Sequence, residues 1–342
     1  FSATLNNSRF IREFLPDLEK MDNISLDGTF NSDHKTIMAK LIAPELIYSG
    51  IHIKDVGVDI ITIDSTMYYS TLINKISVNN IKLNNTVISG KVLENNLDLG
   101  LWIKDKKDKD RYHLGGKVGI NNNNYVFSLF EDGLMLNYDK WNIAADNQLS
   151  FGKDGIRANN FRLSKNNQEL LIQSADSTIH SPVTLSFNNF RIETLTNMLQ
   201  SEILNLGGGI NGEATISRLE SKPVLVSNID IKKVYLGKDT IGNIGIKVNN
   251  LKDDTYAADI RISEYGNDVQ LLGEYFSPPT GESSFKATLN LKPLKMKTIE
   301  SFSLGYLKNN EGDLSGILDI SGTLAKPKIK GDLTFNKAKL NI

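Results

Sequence analysis

The chain has 342 residues, of which 40% are hydrophobic and 23% are charged, and its formal net charge is −1. This composition is ordinary for a folded protein, and the lack of a basic surplus argues against a nucleic-acid binder. The sequence contains no cysteine, which excludes disulfides, thiolate nucleophiles and zinc–thiolate sites and fits an oxidising compartment.

The sequence shows no membrane-spanning segment, because no apolar run approaches the ~18 residues that a spanning helix requires. Its first residues, "FSATLNNSRF", lack the layout of a signal peptide. The chain opens and stops in strand-like sequence, so we expect it to be a segment of a longer protein.

Three stretches predict helices. The first, "NSRFIREFLPDLEKM", has Ser8 as a candidate N-cap, while Pro16 weakens its second half. The second and strongest, "RIETLTNMLQSEILNL", places apolar residues including Leu199 and Ile203 on one side. We expect it to end at the glycines Gly207–Gly209. The third, "LKMKTIESFSL", is short.

Nearly all of the remaining sequence alternates between polar and apolar residues, as between Asn96 and Ile103. This period is typical of strands with one polar and one apolar face. Residues typical of turns separate the alternating runs. The expected turns are Lys104–Asp110, Asn121–Asn124, Glu131–Gly133 and Gly152–Gly155. We therefore predict a mainly β protein: an elongated, curved antiparallel sheet that forms a U-shaped trough, with a few short helices.

An internal repeat follows the second and third predicted helices. Gly212 precedes Pro223 by 11 positions, and Gly316 precedes Pro327 by the same 11. In each case the glycine lies in an expected strand and the proline opens the next one. The repeat predicts three helix-led segments, 1–190, 191–296 and 297–342.

Nothing in the sequence supports an enzyme. The four histidines, His34, His52, His113 and His180, are scattered, and no metalloprotease, Walker A or nucleophile-elbow motif is present. The glycine-rich "LGGGINGE" follows a predicted helix instead of preceding one, so no helix N-terminus would face a phosphate. We expect no catalytic residue, no metal and no cofactor.

The alternation itself is then the main indication of function. The expected sheet would present on the order of 2,000 Å² of apolar surface, far beyond the few hundred Å² that a soluble monomer normally exposes. At ~25 cal/mol per Å², leaving it in water would forgo about 50 kcal/mol. The sheet must therefore fold onto itself as a self-packed sandwich, close as a barrel, or bind an apolar ligand.

The C-terminal sequence "GDLSGILDISGTLAKPKIKGDLTFNKAKLNI" resembles the repeating signature of TamB-like proteins of the AsmA-like family, G-T-x-x-x-P-x-I-x-G-x-L-x-F. The stretches "FNNFRIETLTNML", "DTIGNIGIKVNN" and "YGNDVQLLGEY" look like the Bacteroidetes versions of this translocation and assembly module. The resemblance covers about residues 150–342 and is architectural only over 1–150.

The resemblance implies a periplasmic trough in a Gram-negative bacterium, held to the inner membrane by an anchor that this chain does not contain. Its interior would bind phospholipid acyl chains during transport to the outer membrane, with an Omp85-family outer-membrane barrel protein as partner. The alternative is a chaperone-like scaffold for the assembly of outer-membrane β-barrel and autotransporter proteins. The family has no catalytic residues.

Two sets of residues follow from these arguments. The expected groove-lining residues are Leu97, Leu99, Leu101, Ile103, Ile229, Ile231, Ile329, Leu333 and Phe335. The expected structural residues of the motif are Gly322, Thr323, Pro327 and Gly331.

Overall fold

Antiparallel strands make up most of the molecule. The computed structural model describes residues 1–79, 81–153, 155–178, 180–197, 205–303, 306–339 and 341. Strands account for 72% of the described residues and form one sheet of 13 strands and one of 12. The predicted fold class, a mainly β protein built from antiparallel sheet with a few short helices, is confirmed.

The helices found in the described residues are α1 (Arg9–Phe14), α2 (Glu193–Thr196) and α3 (Met296–Phe302). The strands are β1 (Ser2–Leu5), β2 (Leu18–Met21), β3 (Ile24–Asn31), β4 (Thr36–Tyr48), β5 (Ile51–Ile63), β6 (Thr66–Val78), β7 (Ile81–Leu93), β8 (Asn96–Lys104), β9 (Asp110–Asn121), β10 (Asn124–Leu136), β11 (Asp139–Lys140), β12 (Asn142–Ile143), β13 (Gln148–Gly152), β14 (Gly155–Asn159), β15 (Phe161–Lys165), β16 (Gln168–Ser174), β17 (Val183–Arg191), β18 (Leu206–Ser217), β19 (Val224–Leu236), β20 (Asp239–Lys252), β21 (Thr255–Glu264), β22 (Asn267–Phe276), β23 (Ser284–Lys295), β24 (Glu311–Thr323) and β25 (Lys326–Lys339). None of the helices in the described part of the chain is long and apolar enough to cross a membrane.

The chain divides into two units, Phe1–Lys153 with Asn197–Ser201, and Asp154–Thr196 with Glu202–Ile342. In the first unit, β3 to β10 pair in sequence order, each antiparallel to the next, and β13 lies beside β10. In the second unit, β15 to β25 also pair in sequence order. Sequential pairing follows from the short turns, since a short connection can only join antiparallel neighbours. The division into three helix-led segments stays a prediction.

Helix α1 begins where the sequence predicts. The Ser8 hydroxyl accepts the Ile11 N–H at 3.4 Å, and the helix ends before Pro16. Helix α2 lies within the second predicted helix and is described over Glu193–Thr196. The rest of that prediction, including Leu199 and Ile203, lies outside the described residues. The expectation that Gly207–Gly209 end that helix is wrong, because these glycines lie in β18, between β17 and β19.

Most of the predicted turns join strands. Asn122 and Asn123, both with positive φ (48° and 63°), connect β9 to β10, as expected for asparagines in a tight hairpin. The turn predicted at Glu131–Gly133 is wrong. This segment lies inside β10, where the register with β9 shifts between Leu129 and Leu134. A β-bulge accommodates the same turn-forming residues without ending the strand.

The fold leaves an unusually large surface in contact with solvent. The accessible area is 20573 Å², whereas two separate globular units of half the chain each would expose about 17,000 Å² in total. The pairing described above extends each sheet sideways, and the three helices found in the described residues are 4 to 7 residues long.

Candidate functional site

One face of the first unit carries a line of side chains that are apolar except for one threonine. Antiparallel registers place one residue from each strand directly opposite the next, from β3 to β9. The line consists of Leu26, Leu41, Val58, Thr71, Ile88, Leu101 and Leu114. We call the side of the sheet to which it belongs the apolar face of the first unit.

The groove-lining residues predicted in β8 all lie on this face, because Leu97, Leu99, Leu101 and Ile103 alternate along the strand. The first three are half-buried and Ile103 is buried. Their cross-strand partners are mostly apolar or small: Val92, Gly90, Ile88 and Thr86 on one side, and Val118, Gly116, Leu114 and Tyr112 on the other. The structure thus brings this predicted set together on one apolar surface.

Tyr69 covers part of the same face. It lies opposite Gly90, and its hydroxyl donates to the Asp98 carbonyl at 3.0 Å. A Cβ atom at Gly90 would come within 2.8 Å of the Tyr69 hydroxyl and 1.9 Å of the Asp98 carbonyl oxygen, so only glycine fits beneath the ring. Burial raises the pKa of Tyr69, which keeps the phenol neutral on an apolar surface.

The second unit has a longer apolar face. Its central line crosses all strands from β15 to β25 and contains no charged residue. The line consists of Leu163, Leu170, Phe187, Gly212, Ile229, Ile246, Ile260, Leu271, Leu289, Leu318 and Gly331.

The five groove-lining residues predicted in this unit also share its apolar face. Ile229 and Ile231 lie in β19, opposite Ile246 and Ile244. Ile329, Leu333 and Phe335 lie in β25, opposite Ile320, Gly316 and Leu314. The residues of β25 are 61%, 37% and 55% exposed, because β25 borders the sheet. Five strands separate the two groups.

The motif residues have conformational roles. Gly322 and Gly331 have φ of +113° and +136°, and a Cβ at Gly331 would lie 2.1 Å from the Ile317 carbonyl oxygen. The Thr323 hydroxyl accepts the Lys326 N–H at 3.2 Å in the turn between β24 and β25, and Pro327 lies opposite Gly322. These contacts fix the turn and the close approach of the two strands.

The opposite face of the second unit is polar. Asp259 accepts hydrogen bonds from Arg261 at 2.8 Å and from Gln270 at 3.0 Å, and both hold its pKa below the ordinary value. Large apolar residues such as Leu272 and Ile317 are isolated and exposed on this face. Single exposed apolar residues are normal on a protein surface, whereas a continuous line is not.

Helix α3 covers one end of the apolar face of the second unit. Met296 packs on Val269, Leu291 and Leu314, which belong to this face. The buried side chain of Asn267 anchors the helix, as its amide donates to the Ile241 carbonyl and the Thr298 hydroxyl, both at 2.8 Å, and its oxygen accepts the Lys295 N–H at 2.8 Å. This end of the strands is therefore closed.

The other end of the same face is open and aromatic. Tyr256 lies opposite Tyr275, and Tyr275 lies opposite Phe285. The rings of the two tyrosines are 6.4 Å apart, and the Tyr256 hydroxyl donates to the Pro223 carbonyl at 2.7 Å. We call Tyr256, Tyr275 and Phe285 the aromatic lip.

The first unit shows the same contrast between its two ends. Buried side chains gather where β8 ends and β9 begins, and along the end of β10: Ile103, Tyr112, Leu134, Leu136, Trp141 and Ile143. At the other end, Ile120, Tyr125 and Phe151 are exposed. The rings of Tyr125 and Phe151 stack at 5.4 Å. Each apolar face thus has one closed end and one open end with aromatic residues.

The histidine and acidic side chains make local contacts. Within the described ranges, no group of three or more histidine, aspartate or glutamate residues could hold a metal ion. His113 stacks on Trp102 with ring centroids 4.6 Å apart, and burial lowers its pKa. His52 contacts Glu45 at 2.5 Å in a cluster of ion pairs.

Sequence reasoning missed the aromatic lip and the cover formed by α3. The aromatic lip could have been sought in the alternation, since Tyr256 and Tyr275 have the same parity as the apolar residues of their strands. No protein-family model, no curated protein and no solved structure matches the chain. The resemblance to TamB-like proteins therefore rests on the sequence signature alone.

Proposed function

We propose that the apolar faces bind the acyl chains of phospholipids, and that the protein carries these lipids between the inner and outer membranes of a Gram-negative bacterium. The observation that supports this most directly is the uncharged line that crosses eleven strands, β15 to β25, in the second unit. Such a surface needs an apolar cover.

An acyl chain suits a surface of this kind. It needs no directional hydrogen bonds, and the hydrophobic effect is non-directional and scales with the apolar area removed from water. Similar apolar side chains recur from strand to strand. An acyl chain therefore buries a similar apolar area at neighbouring positions along the sheet. A lipid can therefore move along the line with small changes in free energy.

The cellular setting in this proposal comes from the sequence signature. The resemblance supports a setting in the periplasm, as part of a protein anchored in the inner membrane and working with an Omp85-family barrel in the outer membrane. In this setting the sheet would give the lipid a path through water, and it would support outer-membrane biogenesis.

The test is native mass spectrometry with lipid extraction on the chain purified from a Gram-negative host without detergent. We expect co-purified phospholipid, and we expect the protein to accelerate phospholipid transfer between two vesicle populations. A stable, lipid-free monomer that does not accelerate transfer would contradict the proposal. If that monomer instead bound unfolded peptides from barrel strands, the chaperone-like scaffold would be the better assignment.

A further inference from the structure

The apolar face of the second unit changes in a regular way along its strands. The aromatic lip comes first, and the next residues inward on β21, β22 and β23 are small: Ala258, Gly273 and Ala287. The large residues Ile260, Leu271 and Leu289 follow. The last are Ile262, Val269 and Leu291, of which Val269 and Leu291 are buried under Met296 of α3. We call this surface the strip.

The strip has a defined length. Tyr275 lies six positions after Val269 in β22, which corresponds to about 20 Å at ~3.4 Å per residue. The acyl chains of one membrane leaflet occupy about 15 Å, half of the ~30 Å hydrocarbon core. A tail of ordinary membrane length therefore fits between the lip and α3 when it lies parallel to the strands.

The two ends of the strip suit the two ends of a lipid. At the closed end, Val269 is 7% exposed, Leu291 4% and Met296 2%. A polar headgroup placed there would lose its hydration without gaining partners. At the lip, Tyr275 is 36% exposed, and tyrosine combines an apolar ring with a polar hydroxyl that suits the border of water and hydrocarbon.

We infer that the second unit binds acyl tails parallel to its strands, with the polar end at Tyr256 and Tyr275 and the terminal methyl group against Val269 and Leu291 beneath α3. The strip therefore selects tails about as long as those of one membrane leaflet. This inference rests on the proposed function, to which it adds the direction and length of the ligand.

The opposing arrangement has a tail lying across the strands. Strands are about 4.8 Å apart, so such a tail would cross several of them along the line of eleven and meet no closed end. Longer tails would then gain contact without limit, since each methylene group adds buried apolar area. The two arrangements differ in where the tail ends lie and in how binding depends on tail length.

Photo-crosslinking distinguishes the two arrangements in the full chain. The probes are two palmitic acids, one with a diazirine near the terminal methyl group and one with a diazirine near the carboxyl group. We expect the first to label peptides around Val269 and Leu291, and the second to label peptides around Tyr256 and Tyr275. Equal labelling of both regions by both probes would overturn the inferred direction while leaving lipid binding intact. No labelling of this face by either probe would count against the proposed function itself.

Tail length gives an independent readout. Ala258 and Ala257 are neighbouring, half-buried residues of β21 that lie on the apolar and the polar face respectively. We expect Ala258→Trp to shorten the strip, so that labelling by the palmitic probes falls several-fold while lauric acid still competes for the site. Ala257→Trp is the matched control and should leave the palmitic labelling pattern unchanged.

The unmodified chain tests the length limit without any substitution. We expect competition against the palmitic probes on the peptides of the second unit to strengthen from lauric to palmitic acid and to gain little from palmitic to lignoceric acid. Competition that keeps strengthening to lignoceric acid would overturn the inferred orientation.

Discussion

Leu271 and Leu272 are neighbours in β22 but lie in opposite environments. Leu271 is half-buried between Ile260 and Leu289 on the apolar face. Leu272 is 49% exposed and lies between Asp259 and Thr288 on the polar face. Substitutions at these two identical, adjacent residues therefore distinguish the proposed lipid-binding role of the apolar face from the general effect of changing this strand.

The first prediction uses this pair of leucines. Leu271→Asp places a charge in the line of apolar residues and removes one leucine contact with the acyl chain. Such a contact contributes about 1.5–3 kcal/mol, so its loss lowers the affinity for lipid about tenfold or more. We expect co-purified phospholipid to fall accordingly, as measured by lipid extraction and mass spectrometry. Leu272→Asp is the control and should retain lipid. Equal loss in both variants would show that the apolar face has no special role.

The second prediction concerns a glycine that occurs at the equivalent position of two hairpins. Gly316 lies opposite Leu333, and Gly212 lies opposite Ile229 in the same way. Gly316 has φ +148°, and a Cβ atom there would lie 2.1 Å from the Asp332 carbonyl oxygen. Because an alanine must displace the partner strand, we expect Gly316→Ala to lower the free energy of unfolding by about 1–3 kcal/mol in urea titrations.

The control for this substitution is Gly57→Ala in β5. A Cβ at Gly57 would meet nothing within 4 Å, and its φ is not positive. We expect the free energy of unfolding of this variant to stay within about 0.5 kcal/mol of the unmodified chain. Similar losses in both glycine variants would refute the close-approach explanation.

The third prediction concerns the anchor of α3. Asn267 makes three hydrogen bonds from a buried position, and Asn267→Ala leaves their partners unsatisfied. We expect a loss of about 2–4 kcal/mol in the free energy of unfolding and faster amide hydrogen exchange in α3. Asn228→Ala, at an exposed position on the polar face of β19, should change neither. Unchanged exchange in α3 of Asn267→Ala would contradict the anchoring role.

The fourth prediction is a pH dependence set by Glu45. Its carboxylate contacts Lys20, His52 and Lys54, with the Lys54 ammonium nitrogen at 3.0 Å. These hydrogen bonds, that of Lys20 first, lower its pKa from 4.5 to about 2. The folded state therefore binds fewer protons than the unfolded state. The contribution to stability is present above about pH 4.5 and is lost as the pH falls towards 2.

Urea titrations between pH 5 and pH 2 check this prediction. The free energy of unfolding of the unmodified chain should fall more steeply over this range than that of Glu45→Gln, which cannot ionise at this position. Glu94→Gln, in an exposed hairpin turn, serves as control and should keep the steep fall. Parallel profiles for the unmodified chain and Glu45→Gln would contradict the assignment.

The sequence was most informative where one residue alone decides a local structure. Ser8 identified the start of α1, and the asparagines Asn122 and Asn123 identified a hairpin. Predictions from the sequence were wrong where pairing with a neighbouring strand determines the local structure. Gly207–Gly209 have the composition of a helix end and Glu131–Gly133 that of a turn, yet both segments lie within strands that pair on both sides. Tertiary pairing overrides local preference in these cases.

The period of two in the sequence determined which residues share a face, because successive side chains in a strand point to opposite sides. That is why Leu97 to Ile103 and Ile329 to Phe335 could be assigned to faces from sequence alone. Only the tertiary structure decided which ends of those faces are covered. The position of α3 over Val269 and Leu291 depends on contacts between residues far apart in sequence, and the burial of a face depends on the elements that pack against it, which no local pattern records.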